Sequence, residues 1–445
     1  MQSIPLASLT KSQITRSIFV IGSLFFVFGF VTWINAILIP YFKIACELTN
    51  FQSYLVAFAF YISYFVMSVP ASFLLKKVGF KNGMLLGFLA MATGAFIFLP
   101  AAYTRTYGLF LVGLFTIGTG LAVLQSAANP YITLLGPKER AAQRISIMGI
   151  CNKGAGILAP LVFSFFLLRP EDNDVIAHLS EMTAGERNTF LDQLARRVML
   201  PYSCLGAVLL ALGALVKFSP LPEIDTDNDE SVNYRNGAGK TSIWQFPHLI
   251  LGALAIFTHV GTHVIAIDTV IGYAGSMGIP LTEARPFPSF TLFATMLGYI
   301  AGIIVIPRFI SQLHIFRLCT LLGTAFSLGI LLARADVTLL GYNADVSLWL
   351  VVLLGLANSL IWAGIWPLAL DNLGKFTKLG ASILIMGLCG QAVMPLIYGY
   401  LADSYDHRSA YVILLPCYIY LIFYAFKGYR IRSWKSEIPQ QKKVI

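Results

Sequence analysis

The stretch IMGICNK, Ile147–Lys153, returns 238 residues later as IMGLCGQ, Ile385–Gln391. Each copy sits in a long apolar run. Just upstream, NPYITLLG (Asn129–Gly136) is loosely matched by WPLALDNLG (Trp366–Gly374). In both places a proline opens the pattern, Leu-Gly closes the apolar run and a basic loop follows. A duplicated chain produces this, and the duplication decides the fold.

The copies lie in a chain of 445 residues that is 57% hydrophobic and only 12% charged. A soluble chain carries about twice that charged fraction. Apolar runs long enough to cross a bilayer as helices recur throughout. Twelve spans are predicted, approximately 17–42, 51–75, 83–102, 108–135, 144–168, 199–218, 248–274, 287–306, 313–333, 346–370, 380–402 and 408–427. The reading is an all-α membrane protein of twelve transmembrane helices in two six-helix, pseudo-symmetric halves. The halves are 1–218 and 248–445, the second ending in a basic tail. The acidic, then Gly-rich stretch SPLPEIDTDNDESVNYRNGAGK (Ser219–Lys240) makes 219–247 a linker.

The net charge of +10 does not form a nucleic-acid stripe. It falls in short loops on one side: Lys76, Lys77 and Lys81; Lys138, Arg140 and Arg144; Arg308 and Arg317; Lys375 and Lys378; and the C-terminal tail. By the positive-inside rule both termini and the linker are cytoplasmic. Met1–Arg16 is short and polar and the first apolar segment is a full span, so no cleavable signal peptide is expected. The polar stretch 169–198 reads as a surface flap on the opposite side. The six cysteines show neither disulfide nor zinc spacing. No Walker loop or nucleophile–base set stands out, which argues against direct ATP drive and against an enzyme.

Two six-span halves suggest the transporter architecture with its substrate site at the midplane between them. The polar residues inside the spans are few: Thr32, Trp33 and Asn35 in span 1; Gln125, Ser126 and Asn129 in span 4; Asn152 and Lys153 in span 5; His259, Thr262, His263 and Asp268 in span 7; Asn358, Trp362 and Trp366 in span 10; and Gln391 in span 11. Gln125/Asn129, His259/His263 and Trp362/Trp366 are each four apart and share a helix face. Amides match vicinal hydroxyls and aromatic faces stack on a pyranose, so the inventory suits a neutral sugar. No cluster of arginines serves a phosphate. Interhelical linkage is the competing role for each amide, and packing for each tryptophan. Lys153 lies about 13 Å along its helix from Arg144, too deep for easy snorkelling. A carboxylate, carbonyl oxygens or the substrate would be its partner, or it links neighbouring helices. A charge at that depth costs roughly 2.5–3.5 kcal/mol on insertion scales.

The stretches FFVFGFVTWINAILIP (Phe25–Pro40), GTGLAVLQSAANPYITLLGP (Gly118–Pro137), RISIMGICNKGAG (Arg144–Gly156) and VGTHVIAIDTVIGYAGSMGI (Val260–Ile279) together resemble the fucose permease family of the major facilitator superfamily. They are closest to its glucose, galactose and N-acetylglucosamine branch. The resemblance implies bacterial sugar import, driven by protons or in some members by sodium. It also implies a span-5 asparagine, here Asn152. The family's aspartate in span 1 and glutamate in span 4 fall on Ala36 and Gln125, a glutamine position falls on Gly149, and an acid or amide position in span 7 on His263.

A coupling proton would therefore need another site. His263 and Asp268 are the candidates, since histidine titrates near neutrality and a low-dielectric cavity can bring an aspartate within reach. The expected substrate residues are Asn35, Gln125, Asn129, Asn152, Lys153, His263, Asn358, Trp362 and Gln391, converging on one wet chamber. The expected partners are a sugar, the coupling ion H+ or Na+ and the lipid bilayer, with no cofactor, no nucleic acid and a monomer as the working unit. The inner membrane of a Gram-negative bacterium is the expected location. An uncoupled sugar facilitator is the alternative, and a sugar sensor with the same fold a third reading.

Overall fold

The computed structural model describes residues 11–134, 141–169, 171–179, 181–219, 241–306, 309–373 and 376–434. Twelve helical spans are long and apolar enough to cross a membrane: Ser17–Ala45, Asn50–Ala71, Lys77–Tyr103, Tyr107–Ala128, Ile147–Leu167, Ala184–Phe218, Pro247–Asp268, Leu281–Val305, Gln312–Leu332, Val346–Leu370, Leu379–Ser404 and Ser409–Phe426. These are spans 1–12 below. The chain is a multi-pass membrane protein. Spans 1–6 pack mainly among themselves, as do spans 7–12, and the two groups meet along two seams, span 2 against span 11 and span 5 against span 8. Most of the expected linker, 220–240, lies outside the described residues, as do Lys138, Arg140, Arg308, Lys375 and the tail beyond 434.

The spans alternate direction, so the molecule has a terminal end, where span 1 begins and span 12 ends, and an opposite, distal end. Helix starts at the distal end are capped locally. Thr49 and Gln52 form a capping box at the start of span 2, and Asp345 accepts from the Ser347 N–H at the start of span 10.

Several spans that read as continuous are broken, and the breaks fall beside the polar residues. Span 1 divides at Ile34, between helices Lys11–Trp33 and Asn35–Ala45. Span 7 gives way at Thr269 directly after Asp268. Span 10 divides into Val346–Asn358 and Ile361–Leu370. Span 11 passes through a 3-10 turn at Gly387–Cys389, just before Gln391. None of these breaks is at a proline, the strongest break signal in a sequence, so the hydropathy pattern ran through them. Irregular backbone at membrane depth is tolerated where protein surrounds it.

The stretch 169–198, polar and partly helix-patterned in sequence, is helical over much of its described length. It folds into helices Asp172–Ala177 and Ala184–Arg196, the second capped by a Thr183/Glu186 box and leading into Met199–Phe218. Arg197 anchors it through a two-pronged ion pair to Asp172, at 2.5 and 2.9 Å, and donates to the Leu167 carbonyl. The Tyr41 hydroxyl donates to the Leu194 carbonyl, Arg187 pairs with Glu47, and Arg105 with Asp192. Among the described residues the fold is helical but for one small hairpin, Asp336–Leu339 paired antiparallel with Tyr342–Asp345. Its turn uses left-handed Leu340 and Gly341, the backbone that two-residue hairpin turns need.

Candidate functional site

Two glycines bring the site's helices together. A Cβ on Gly29 of span 1 would fall on the backbone of Asn152, and one on Gly390 of span 11 on the backbone of Phe257. Only a bare glycine permits these approaches. The first sets span 1 directly against the Asn152–Lys153 pair, and the second sets Gln391 against span 7.

Lys153 is buried, and its partner is the face of Trp33, with Nζ 4.2 Å from the ring centroid. Among the described residues no carboxylate or carbonyl oxygen is recorded as its partner, and of the alternatives the link between neighbouring helices fits this contact. A desolvated ammonium gains about 2 kcal/mol from an indole face, so Lys153 links spans 5 and 1. The edge of Trp33 then meets His263 of span 7, with centroids 5.5 Å apart and planes at 72°. His263 lies parallel to His259 at 6.1 Å. Lysine, indole and imidazoles thus form one continuous file across the boundary between the first and last six spans.

Around this file lie the other predicted residues. Asn358 accepts from the Thr262 hydroxyl at 3.1 Å through Oδ1. Asn35 is 1% exposed and its amide comes beside the Tyr61 hydroxyl without closing a hydrogen bond. Gln125 donates to the Tyr64 hydroxyl at 3.1 Å. Asn152 makes a long contact of 3.4 Å with the Phe25 carbonyl, again between spans 5 and 1. Trp362 and Trp366 stack on each other at 5.3 Å and 20°, so each offers only its outer face. Gln391 is half-buried. Ser126 and Thr32 turn back onto carbonyls of their own helices, Ala122 and Phe28. The side chain of Asn129 lies outside the described residues.

Asp268 is 1% exposed, and among the described residues neither carboxylate oxygen has a hydrogen-bond partner. It lies within electrostatic range of Tyr54 and Tyr61 on span 2, across the seam. The same absence of a partner holds for Trp33 Nε1, Asn35 Nδ2, His259 Nδ1, His263 Nε2 and Asn358 Nδ2. A buried polar atom left unpaired costs about 1–3 kcal/mol. Such groups gathered in one place mark a candidate binding site.

Among the described residues, two cavities lie away from these polar groups, one beside Phe309–Leu318 and the other at the distal end among Tyr273, Asp345 and Arg408. The distal end is shut by direct contacts between the two groups of spans. Asp403 receives three hydrogen bonds from Asn50 and Phe51, Ser289 donates to the Ile157 carbonyl and Asn173 to Thr282.

Sequence reasoning overlooked the tyrosines of span 2. Tyr54, Tyr61 and Tyr64 stand at spacings of seven and three, which places three phenols on one face. That signal was readable, but tyrosine in an apolar run passes as a packing residue.

A twelve-span bundle in two packed sixes, with unpaired polar groups collected at the boundary, defines a membrane transporter rather than an enzyme. Residues 21–390 match the Major Facilitator Superfamily, and the chain belongs to that family. The glucose/galactose transporter of Brucella abortus (strain 9-941) is 33% identical over 91% of this chain and 92% of that one. The L-fucose-proton symporter of Escherichia coli (strain K12) is 28% identical over 92% of each. A crystal structure of the E. coli fucose:proton symporter, in an asparagine-to-alanine variant, superimposes with a TM-score of 0.68 at 27% identity. It covers 95% of this chain and 100% of that one.

Proposed function

We propose that the chain is a secondary active importer of a neutral monosaccharide, of the glucose, galactose, mannose or N-acetylglucosamine type, working by alternating access and coupled to H+ or Na+. The observation that carries this is the cluster of buried, unpaired polar atoms on Trp33, Asn35, His259, His263 and Asn358 at the boundary of the two groups of spans. Sugar hydroxyls both donate and accept, so they can pair with amide, indole and imidazole groups alike. The names of the relatives, a glucose/galactose transporter and a fucose-proton symporter, support the same class.

The halves 1–218 and 248–445, joined by 219–247, would rock about this cluster. Asn35, Gln125, Lys153, His263, Asn358, Trp362 and Gln391 would line the path, with Asn129 and Asn152 beside them. Asp268 and His263 are the coupling residues. By the positive-inside rule the termini would lie in the cytoplasm, and in a bacterial inner membrane the distal end would then face the periplasm. The chain works as a monomer.

An uncoupled facilitator is favoured by one observation, the replacement of two family carboxylates by Ala36 and Gln125. Purified protein in liposomes separates the two. Uptake of labelled sugar is measured in a competition panel of the four sugars while proton and sodium gradients are imposed in turn. Accumulation above the external concentration that follows one gradient supports the importer. Uptake that never exceeds equilibrium under either gradient leaves the facilitator, and no uptake of any sugar removes the substrate class.

A further inference from the structure

Span 2 begins with four N–H groups that its own helix cannot satisfy. Thr49 takes the Gln52 N–H through its hydroxyl at 3.2 Å and the Ser53 N–H through its carbonyl at 3.0 Å. The first two, on Asn50 and Phe51, are satisfied from the other side of the molecule. Asp403, at the distal end of span 11, accepts from the Asn50 N–H at 2.9 Å with Oδ1 and from the Phe51 N–H at 2.7 Å with Oδ2. Oδ1 also accepts from the Asn50 side-chain amide at 2.7 Å. The amide oxygen of Asn50 in turn accepts from the Lys43 ammonium at 2.5 Å.

The backbones meet closely beneath this cap. A Cβ on Gly399 would lie 3.0 Å from the Phe51 Cα and 3.1 Å from the Asn50 carbonyl oxygen. One turn further in, Tyr54 meets Tyr398 edge to face at 5.6 Å. The carboxylate therefore completes a helix N-terminus only while spans 2 and 11 touch at the distal end. When they part, Asp403 loses three donors and span 2 loses the partners of two N–H groups. At the terminal end the loop between spans 2 and 3, Leu74–Gly83, contains no acid at all.

We propose that Asp403 is a positioning residue for alternating access, a negative charge on span 11 that caps span 2 and biases the transporter toward its distally closed state. The inference rests on the transporter fold and is independent of the sugar and of the coupling ion.

The test measures shape rather than transport. The full-length chain, with exposed Cys204 replaced by serine, carries spin labels at Thr104 and Thr338, two exposed distal positions on opposite groups of spans. Distance distributions are recorded in lipid nanodiscs without sugar. Asp403→Ala should raise the ratio of long to short distances by about fivefold, the scale of a carboxylate at a helix N-terminus. Asp403→Glu should restore the short distance at least in part, which loss of mere bulk would not do. Asp403→Asn, which keeps the shape and drops the charge, should fall between them and serves should the alanine variant not fold. Unchanged distributions in folded Asp403→Ala or Asp403→Asn overturn the proposal, whatever the protein transports.

Discussion

The ammonium of Lys153 and the indole of Trp33 are in face-on contact, 4.2 Å from nitrogen to ring centroid, in the middle of the membrane-spanning bundle. The partner recorded for this lysine deep in an apolar helix is a ring. This pairing keeps Trp33 turned so that its edge reaches His263. A double-mutant cycle over Lys153→Met and Trp33→Phe, read as thermal unfolding in detergent, should give a coupling energy of about 1–2 kcal/mol. Additive losses would mean that the two touch without interacting.

Asp268 is a proposed coupling residue. Asparagine imitates the neutral acid and cannot exchange a proton or hold a cation's charge. Asp268→Asn should abolish uphill accumulation, bringing the internal-to-external sugar ratio to about 1, while counterflow exchange persists. Accumulation at the wild-type level would remove Asp268 from the coupling scheme.

Gln125 and Tyr64 form a hydrogen bond between spans 4 and 2. Gln125→Leu strands the phenol of a residue that is 7% exposed, and an unpaired buried hydroxyl costs about 1–3 kcal/mol. Initial uptake rates at low sugar concentration should fall roughly tenfold. Gln125→Glu keeps an acceptor and should retain more activity than the leucine variant.

The Arg197–Asp172 pair is the most enclosed ion pair in the described residues, with the aspartate side chain 5% exposed. Removing one member of such a pair is more damaging than removing both, because a lone charge stays behind. Arg197→Met should destabilise the protein by about 3–5 kcal/mol. Arg197→Met with Asp172→Leu should recover a large part of that loss, both measured as shifts in thermal midpoint.

Asp406 lies just before span 12 and takes the Arg408 N–H, the Ser409 N–H and the Ser409 hydroxyl. The Ser409 hydroxyl, foremost among these, holds its carboxyl below the usual aspartate range. A group whose folded value is depressed stabilises fully above its unfolded value, about 3.9, and the contribution is lost as pH falls through the folded value. Thermal midpoints should therefore drop more steeply below about pH 4 in the wild type than in Asp406→Ala. Parallel curves would show that the cap contributes nothing.

How much of this was legible varied with the kind of signal. Apolar runs and Lys/Arg-rich loops are averages over many residues, so the twelve spans and their shared end for the termini could be read directly. The IMGICNK/IMGLCGQ pair marked the duplication, and its two copies lie on spans 5 and 11, one on each side of the boundary. The helix breaks at Ile34 and at Ser359–Leu360 were invisible, because neither is at a proline and single polar residues do not interrupt a hydropathy average. The Trp33–Lys153 contact was hidden for a different reason. It depends on how two helices are rotated about their axes, which a list of polar residues does not contain. The Asp403 cap was hidden because the acid and the helix it completes are 353 residues apart.

The helices of 169–198 have one more consequence. Arg187–Glu47, Arg105–Asp192 and Tyr41–Leu194 all fasten them to spans of the first six, whereas Asn173–Thr282 reaches to the last six. They form a brim that travels with one half of the molecule. An antibody fragment gripping the Ala184–Arg196 helix alone would ride along harmlessly, while one that also grasped the Asp336–Asp345 hairpin would freeze the cycle.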